Sequence, residues 1–131
     1  MKHKRSSVLI AEADRAVAQD LRAQMERAGF TVFVARDGEQ AAILAGRQRF
    51  DLLIVDLELA KMNGAELCRH VREDLRLTEV PIAVCSTTGL QSDAEALVFS
   101  YGISQIFYKP LNTTTVVEFA RETLQCLVAA H

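Results

Sequence analysis

Acidic residues follow two apolar runs of this chain, at the points where buried strands would end. Residues 8–11 (VLIA) lead into Glu12 and, two positions later, Asp14, while residues 52–55 (LLIV) lead into Asp56. Carboxylates grouped at such ends bind a hard cation such as Mg²⁺, transfer a proton or attack phosphorus. The sequence therefore predicts an acidic site at one edge of a sheet.

Two more polar residues follow apolar runs later in the chain. Ser86 comes after residues 82–85 (IAVC), and Lys109 comes after residues 105–108 (QIFY). A lysine beside carboxylates forms an ion pair with them, and a cation also stabilises the oxygens of a transferring phosphoryl group. Singly, such residues are ordinary turn and capping residues, but polar groups at four strand ends indicate a site.

The alternation of apolar segments predicts five strands, each followed by a helix. The predicted strands are 8–11, 30–35, 51–56, 82–86 and 105–108. The predicted helices are one that Asp14 caps and Gly29 ends, then 37–48, a helix with apolar residues from Ala65 to Leu75, about 92–100, and about 113–128. Parallel strands with right-handed crossovers form a doubly wound α/β sandwich of three layers, which binds ligands outside the carboxyl ends of its strands.

Length and charge limit the classes to which the chain can belong. Its 131 residues are expected to form a single domain, 1–131, with a core at about 7–128. The net charge of −2 predicts neither nucleic acid nor a membrane as a direct partner. No apolar run approaches the roughly 18 residues of a membrane span, and the run after the basic start is too short for a signal peptide.

The three cysteines, Cys68, Cys85 and Cys126, are far apart and match no metal-binding spacing. Such a pattern is typical of buried thiols in a reducing compartment. We therefore expect a cytoplasmic protein.

Four stretches together resemble the receiver domain of response regulators, of the chemotaxis-regulator type. Their order and spacing carry the resemblance: VLIAEAD (8–14), DLLIVDLELAKMNGAELCRHVR (51–72), VPIAVCSTTG (80–89) and YGISQIFYKP (101–110). The resemblance implies a flavodoxin-like, five-stranded parallel sheet with strand order 2-1-3-4-5. It also implies a receiver module of phosphorelay, two-component signal transduction rather than an enzyme, apart from residual hydrolysis of its own aspartyl phosphate.

The resemblance assigns roles to five positions. In that family the acid that ends strand three accepts a phosphoryl group from a histidine kinase, with Mg²⁺ bound beside it. Asp56 matches this phosphoacceptor, Ser86 matches the hydroxyl residue that moves to the phosphate, and Lys109 matches the cation that pairs with it. The implied metal ligands are Glu12, Asp56 and the backbone carbonyl of Glu58.

Three departures from the family pattern affect this expectation. Ala13 replaces the second acid of the strand-one pair, the direct carboxylate ligand of Mg²⁺, which predicts a weakened or absent metal site. Ala60-Lys61 replaces a common proline-glycine pair. Ile106 replaces an aromatic ring that turns inward when the hydroxyl residue moves, so the switch formed by Ser86 and Ile106 is expected to couple more weakly to the output surface.

The partners implied by the resemblance are a histidine kinase or phosphotransfer protein and, downstream, a protein partner or a fused output domain. The signal would leave through the face of helix four, strand five and helix five, and the family also allows a homodimer. One alternative stays open because of Ala13. The chain is then a pseudo-receiver, a protein-interaction module that works without phosphorylation.

Other features are expected to be structural or to form surfaces. Asn63-Gly64 fits a turn in which a residue with positive φ is tolerated. The charged cluster from Arg72 to Arg76 is expected to be a solvated helix end. Residues 97–99 (LVF) are expected to line a partner-binding face, with one of the three filling the core.

Two other protein classes fit the sequence poorly. In a haloacid-dehalogenase-type phosphohydrolase, Asp56 would be the nucleophile and Glu58 the acid/base, but that motif belongs on the first strand of a longer domain and needs an acidic pair after the lysine. A flavodoxin-like FMN binder needs a phosphate loop rich in serine, threonine or glycine after strand one. The segment AEADRA (11–16) would instead repel a phosphate.

Overall fold

The computed structural model describes residues 5–87 and 91–129, with side chains for 5–87 and 93–125. Its strands are β1 Ser7–Ala11, β2 Thr31–Ala35, β3 Leu52–Asp56, β4 Ile82–Ser86 and β5 Gln105–Tyr108. Its helices are α1 Arg15–Arg27, α2 Gly38–Arg47, α3 Gly64–Arg69, α4 Gln91–Tyr101 and α5 Thr113–Ala129, and α3 continues into a π-helical turn, His70–Asp74. All strand pairs are parallel, in the order β2-β1-β3-β4-β5, so the predicted fold is confirmed.

The central strands are covered on both faces, as their unbroken apolar runs predict. Every residue of β3 and of β4 is buried. Side chains alternate along a strand, so Leu53 and Val55 pack with α2, α3 and α4 while Leu52 and Ile54 pack with α1 and α5. Each layer of helices therefore covers its own half of the core, and the carboxyl ends of the strands point to one shared edge.

The predicted ends of α1 are confirmed. The Asp14 side chain accepts hydrogen bonds from the backbone N–H groups of Ala16 and Val17, which fixes the first turn of the helix. At the other end, Gly29 has a φ of +99°, a conformation that costs glycine little. These two residues set the direction in which the chain leaves β1 and returns to β2.

The predicted reason for Asn63-Gly64 is wrong, although the turn is present. Asn63 caps α3 in a capping box with Glu66, and Gly64 is not among the described residues with positive φ. Gly64 is needed for close approach, since a Cβ there would lie 2.5 Å from the Asp56 carbonyl oxygen. The left-handed residue of this loop is Lys61, with a φ of +68°, at the departure from the family's proline-glycine pair.

Arg72 corrects another expectation, because it is not part of a solvated helix end. Its Nε donates to the carbonyl of Tyr101 at 2.7 Å, and its Nη1 donates to the carbonyls of Leu77 and Val80, each at 2.8 Å. Its Nη2 donates to the carbonyl of Gly102 at 3.4 Å. A charge cluster in a sequence does not show where the longest side chain turns, and here it turns inward to tie three segments together.

The predictions for residues 97–99 and for two of the three cysteines agree with the structure. Leu97 is buried, whereas Val98 and Phe99 are exposed, as expected of a face with one core residue. Cys68 and Cys85 are buried free thiols, as predicted, while the side chain of Cys126 lies outside the described residues. Among the helices of the described residues, none has the length and apolarity that crossing a membrane requires.

The close approach at Gly64 predicts the cost of a single methyl group. A Cβ at Gly64 would also lie 2.6 Å from the Leu57 Cα, so Gly64→Ala should lower the free energy of unfolding by about 1–3 kcal/mol through overpacking. Gly46→Ala is the matched control. Its nearest neighbour would be Leu75 Cδ2 at 3.6 Å, so the alanine should raise stability by about 0.5–1 kcal/mol. Urea unfolding measures both, and equal effects would contradict the steric argument.

Candidate functional site

The carboxyl edge of the sheet brings three charged residues together. Glu12 follows β1, Asp56 ends β3 and Lys109 follows β5. The Lys109 Nζ lies 2.9 Å from Asp56 Oδ2 and 3.5 Å from Glu12 Oε1. These three residues form one ion-pair cluster although Glu12 and Lys109 are 97 positions apart in the sequence. The strand order explains this, because it places the ends of their strands along one edge.

Asp56 is the buried centre of this cluster. It is only 3% exposed, because β3 lies in the middle of the sheet. Its Oδ1 accepts the backbone N–H of Glu58 at 3.0 Å, and its Oδ2 accepts the ammonium of Lys109. Both oxygens of the buried carboxylate therefore have partners, which offsets the cost of removing it from water.

Glu12 is equally buried and is held from two sides. Its Oε2 accepts the backbone N–H of Asp14 at 3.0 Å, and its Oε1 faces Lys109. Burial raises the pKa of Glu12 above its ordinary value of 4.5, and the neighbouring Asp56 raises it further. The Asp14 amide and the Lys109 charge oppose this rise without cancelling it.

Lys109 carries the positive charge of the site. Its backbone N–H donates to the Ser86 carbonyl at 2.8 Å, and the Lys109-Pro110 peptide bond is cis. Burial lowers the pKa of Lys109, but the hydrogen bond to Asp56 and the charges of both acids outweigh burial and raise it above 10.5. The lysine therefore stays charged at neutral pH.

Ser86 reaches the same edge but makes a different contact. It is fully buried, and its hydroxyl donates to the Thr87 carbonyl at 3.0 Å rather than to Asp56. Ile106, the other predicted switch position, pairs with Val84 in the sheet and packs, half-buried, against the core that α2, α3 and α4 cover. The structure therefore places Ser86 at the site and Ile106 behind it.

The oxygen donors at this edge fit a weak magnesium site. Glu12 and Asp56 supply two carboxylates, and the resemblance implies the Glu58 carbonyl as a third ligand. Ala13 places an exposed methyl group where receiver domains have an acid. Within residues 5–87 and 93–125, no three acidic, histidine or cysteine side chains gather to hold a metal by themselves. Mg²⁺ accepts one or two carboxylates and fills its other positions with water or phosphate oxygens.

Cys85 is a neighbour of the site that the sequence reasoning did not place there. It pairs with Asp56 across β3 and β4, and burial followed by the charges of Glu12 and Asp56 raises the pKa of its thiol to about 12. The thiol is therefore neutral and unreactive at pH 7. Its position just before Ser86 was the available signal, but the register between β3 and β4 was needed to interpret it.

Comparison with known proteins gives the chain its relatives. A family profile described as "Response regulator receiver domain" matches residues 8–121. The chain is 28% identical over 118 residues to the DNA-binding dual master transcriptional regulator RpaA of Synechocystis sp. This match covers 90% of this chain and 48% of that protein. It is 35% identical over 99 residues to the sensor histidine kinase AruS of Pseudomonas aeruginosa, covering 75% of this chain and 10% of that protein. The chain thus spans half or less of these relatives.

Solved structures agree on the fold. The chemotaxis response regulator CheY4 of Vibrio cholerae superposes with a TM-score of 0.81 at 26% identity, covering 92% of this chain and 99% of that one. A response regulator receiver domain protein (CheY-like) from Methanospirillum hungatei superposes with a TM-score of 0.87, covering 98% and 100%. Its identity of 20% means that this second likeness shows the fold alone.

The raised pKa of Glu12 predicts how stability depends on pH. Between pH 4.5 and the higher pKa of the folded state, Glu12 binds more protons in the folded protein than in the unfolded chain. The free energy of unfolding therefore falls as the pH rises through this range. Glu12→Gln keeps an acceptor for the Asp14 amide and removes the charge. It should unfold at a higher temperature than the wild type at pH 7, with a smaller decline in stability above pH 4.5.

Thermal unfolding from pH 4 to 8 measures this effect. Glu118→Gln is the control, because Glu118 is an exposed acid of α5 and its replacement should leave the profile unchanged. A Glu12→Gln protein that is less stable than the wild type at pH 7 would show that the attraction to Lys109 outweighs burial.

Proposed function

The chain belongs to the response regulator receiver domain family, and we propose that it accepts a phosphoryl group on Asp56 from a histidine kinase or phosphotransfer protein. Receiver domains are signalling modules that interact with histidine kinases and output domains, and the family generally binds Mg²⁺ at the phosphorylation site. The observation that carries the proposal is the buried Asp56 carboxylate, at the carboxyl end of the central strand, with the Lys109 Nζ at 2.9 Å.

The proposed reaction is an in-line displacement at phosphorus. One carboxylate oxygen of Asp56 attacks the phosphorus of a phosphohistidine and forms a P–O bond, while the P–N bond breaks and its electrons return to the imidazole nitrogen. The Glu58 amide and the Lys109 ammonium hold the two oxygens of Asp56, so the nucleophile is oriented before the donor arrives. Lys109 then faces the acyl phosphate and pairs with its charge.

Mg²⁺ would be held by Glu12, Asp56 and the carbonyl of Glu58. When bound, it neutralises negative charge on the phosphoryl oxygens during transfer. The two carboxylates of this edge already share one ammonium, so the cluster has a formal charge of −1 from two acids and Lys109. An acid at position 13 would make that charge −2, and its absence predicts a lower affinity for the divalent ion.

The change that follows phosphorylation would begin at Ser86. Its hydroxyl leaves the Thr87 carbonyl for a phosphoryl oxygen, an exchange of one neutral hydrogen bond worth about 1 kcal/mol for a charge-assisted one. The signal would reach a downstream protein or a fused output domain through α4, β5 and α5, where Phe99 is exposed. Ile106 has no ring to relocate, so we propose that packing around α4 carries more of this change.

A pseudo-receiver is the second candidate. The observation that favours it is the exposed Ala13 in place of a metal-binding acid. In that case Lys109 and the two acids would serve only to stabilise the fold, and the exposed part of α4 would bind its partner in one permanent conformation. The two candidates differ in a single measurable property, which is whether Asp56 takes up phosphate.

Phosphorylation has a direct test. Incubation with acetyl phosphate and millimolar Mg²⁺ should increase the intact mass by one phosphoryl group, and Asp56→Asn should abolish the increase because an amide is not a nucleophile toward phosphorus. Asp14→Asn is the matched control at the same edge. Asparagine also caps a helix, so this variant should fold and take up phosphate as the wild type does.

Each result of that experiment decides between the candidates. Phosphate that survives Asp56→Asn would place the acceptor elsewhere and refute the assignment. If the wild type gains no mass with acetyl phosphate or with any of several histidine kinases, the pseudo-receiver is supported.

Restoring the missing acid should strengthen the metal site. Ala13→Asp adds a like charge beside Glu12 and Asp56, so the melting temperature in chelator should fall. In millimolar Mg²⁺ the melting temperature should rise, because an ion that binds only the folded state stabilises it by mass action. Ala16→Asp is the control, since it adds an exposed acid one turn away in the first turn of α1. Calorimetric titration measures the affinity directly, and an unchanged Mg²⁺ affinity in Ala13→Asp would contradict the argument.

A further inference from the structure

A second concave feature lies at the opposite edge of the sheet, where β3 and β4 begin. The end of α2 and the loops 48–51 and 76–81 form its walls, and its volume is about 990 Å³. Strands of five residues separate this cleft from the acidic site by roughly 15 Å. It therefore takes no part in the proposed phosphoryl transfer.

The cleft carries three arginines for which the described residues provide no ionic partner. Arg47, Arg49 and Arg76 line it and are exposed, and none of them forms an ion pair within 4.0 Å in the described part of the chain. Two acids also line it, Asp51 and Glu79, and one Asp51 oxygen already accepts a backbone N–H at 2.8 Å. The lining has a formal charge of +1, three arginines against two acids, in a chain whose net charge is −2.

Apolar surface lies beside these guanidinium groups. Phe50 and Leu124 are buried in the lining, and Pro81 and Val80 are half-buried there. Leu77 is 38% exposed and is one of four large apolar side chains that are open to water among the described residues. A molecule in the cleft would meet cations and an apolar surface together.

The wall formed by the loop 76–81 is tied to α3 and its π-helical extension by Arg72. Arg72 binds the carbonyls of Leu77 and Val80, which fixes the backbone on both sides of the turn. Arg76 itself has a φ of +56°, a left-handed conformation that is uncommon for a residue with a side chain. A backbone that keeps an arginine in this conformation at the wall of a cleft is a reason to look for a function.

We propose that this cleft binds a phosphorylated small molecule with an apolar or aromatic ring. Guanidinium groups match phosphate oxygens with paired hydrogen bonds and also stack on planar rings. The volume is within the range of small-molecule sites, although the cleft is open to solvent along part of its length. The three arginines supply the anion recognition, and the surface around Leu77 receives the ring.

A nucleotide titration tests the proposal in the full chain. ADP should shift the backbone amides of residues 47–50 and 76–80 in a saturable manner, while adenosine, which lacks the charge, should shift them far less. Inorganic pyrophosphate, which lacks the ring, should bind more weakly than ADP. Asp56→Asn should bind ADP as the wild type does, so the result does not depend on the proposed phosphorylation.

Arg76→Gly is the decisive variant. Glycine accepts the positive φ, so the substitution removes the guanidinium without straining the loop. It should weaken ADP binding about tenfold or more, the effect of losing a charge-assisted hydrogen bond. Arg22→Gln, on the exposed face of α1, is the matched control and should bind ADP normally.

Three results would overturn the proposal. The first is no amide shift in the cleft at millimolar ADP, and the second is shifts centred on Glu12 and Lys109 instead. The third is an equal loss of affinity in Arg76→Gly and Arg22→Gln, which would indicate unspecific attraction of charge. Where the first result is found, an acidic peptide that does shift the cleft amides would identify the cleft as a protein-docking surface instead.

Discussion

The ammonium of Lys109 between two buried carboxylates is the interaction on which the acidic edge depends. Glu12 and Asp56 are each 3% exposed, and two carboxylates so far from water repel each other unless a cation lies between them. The lysine can reach both because its own backbone is tied to the Ser86 carbonyl at the end of β4. The strand order, the helix cap at Asp14 and the turn after β5 all act to keep these three charges in contact.

The same cluster explains why an acid at position 13 would destabilise the metal-free fold. Two carboxylates and one ammonium leave a formal charge of −1, and a third carboxylate would make it −2. The unfavourable electrostatic energy is seen at Glu12, because burial and, to a lesser degree, the charge of Asp56 raise its pKa. Electrostatic balance in the resting protein and affinity for Mg²⁺ thus oppose each other, because each added carboxylate favours the metal and disfavours the metal-free fold.

The loops at the carboxyl and amino ends of the strands are fixed by different interactions. After β3, the chain passes so close to Gly64 that a methyl group would not fit, and Lys61 adopts the left-handed conformation that turns the loop. Before β4, the guanidinium of Arg72 binds backbone carbonyls from two loops. The loop after β3 therefore depends on Gly64 having no side chain. The loop before β4 depends on the long side chain of Arg72, which donates hydrogen bonds to backbone carbonyls.

The sequence by itself determined the elements, their alternation and the positions of Glu12, Asp56, Ser86 and Lys109 at strand ends. Apolar runs, caps and their periodicity are local properties, so five strands, five helices and the ends of α1 could be predicted from neighbouring residues. Only the tertiary structure decided which carboxylate oxygen faces Lys109, that Cys85 lies beside Asp56 and that Arg72 turns inward. These depend on strand register and side-chain direction, which residues distant in the chain fix jointly once they pack, and no local pattern encodes them.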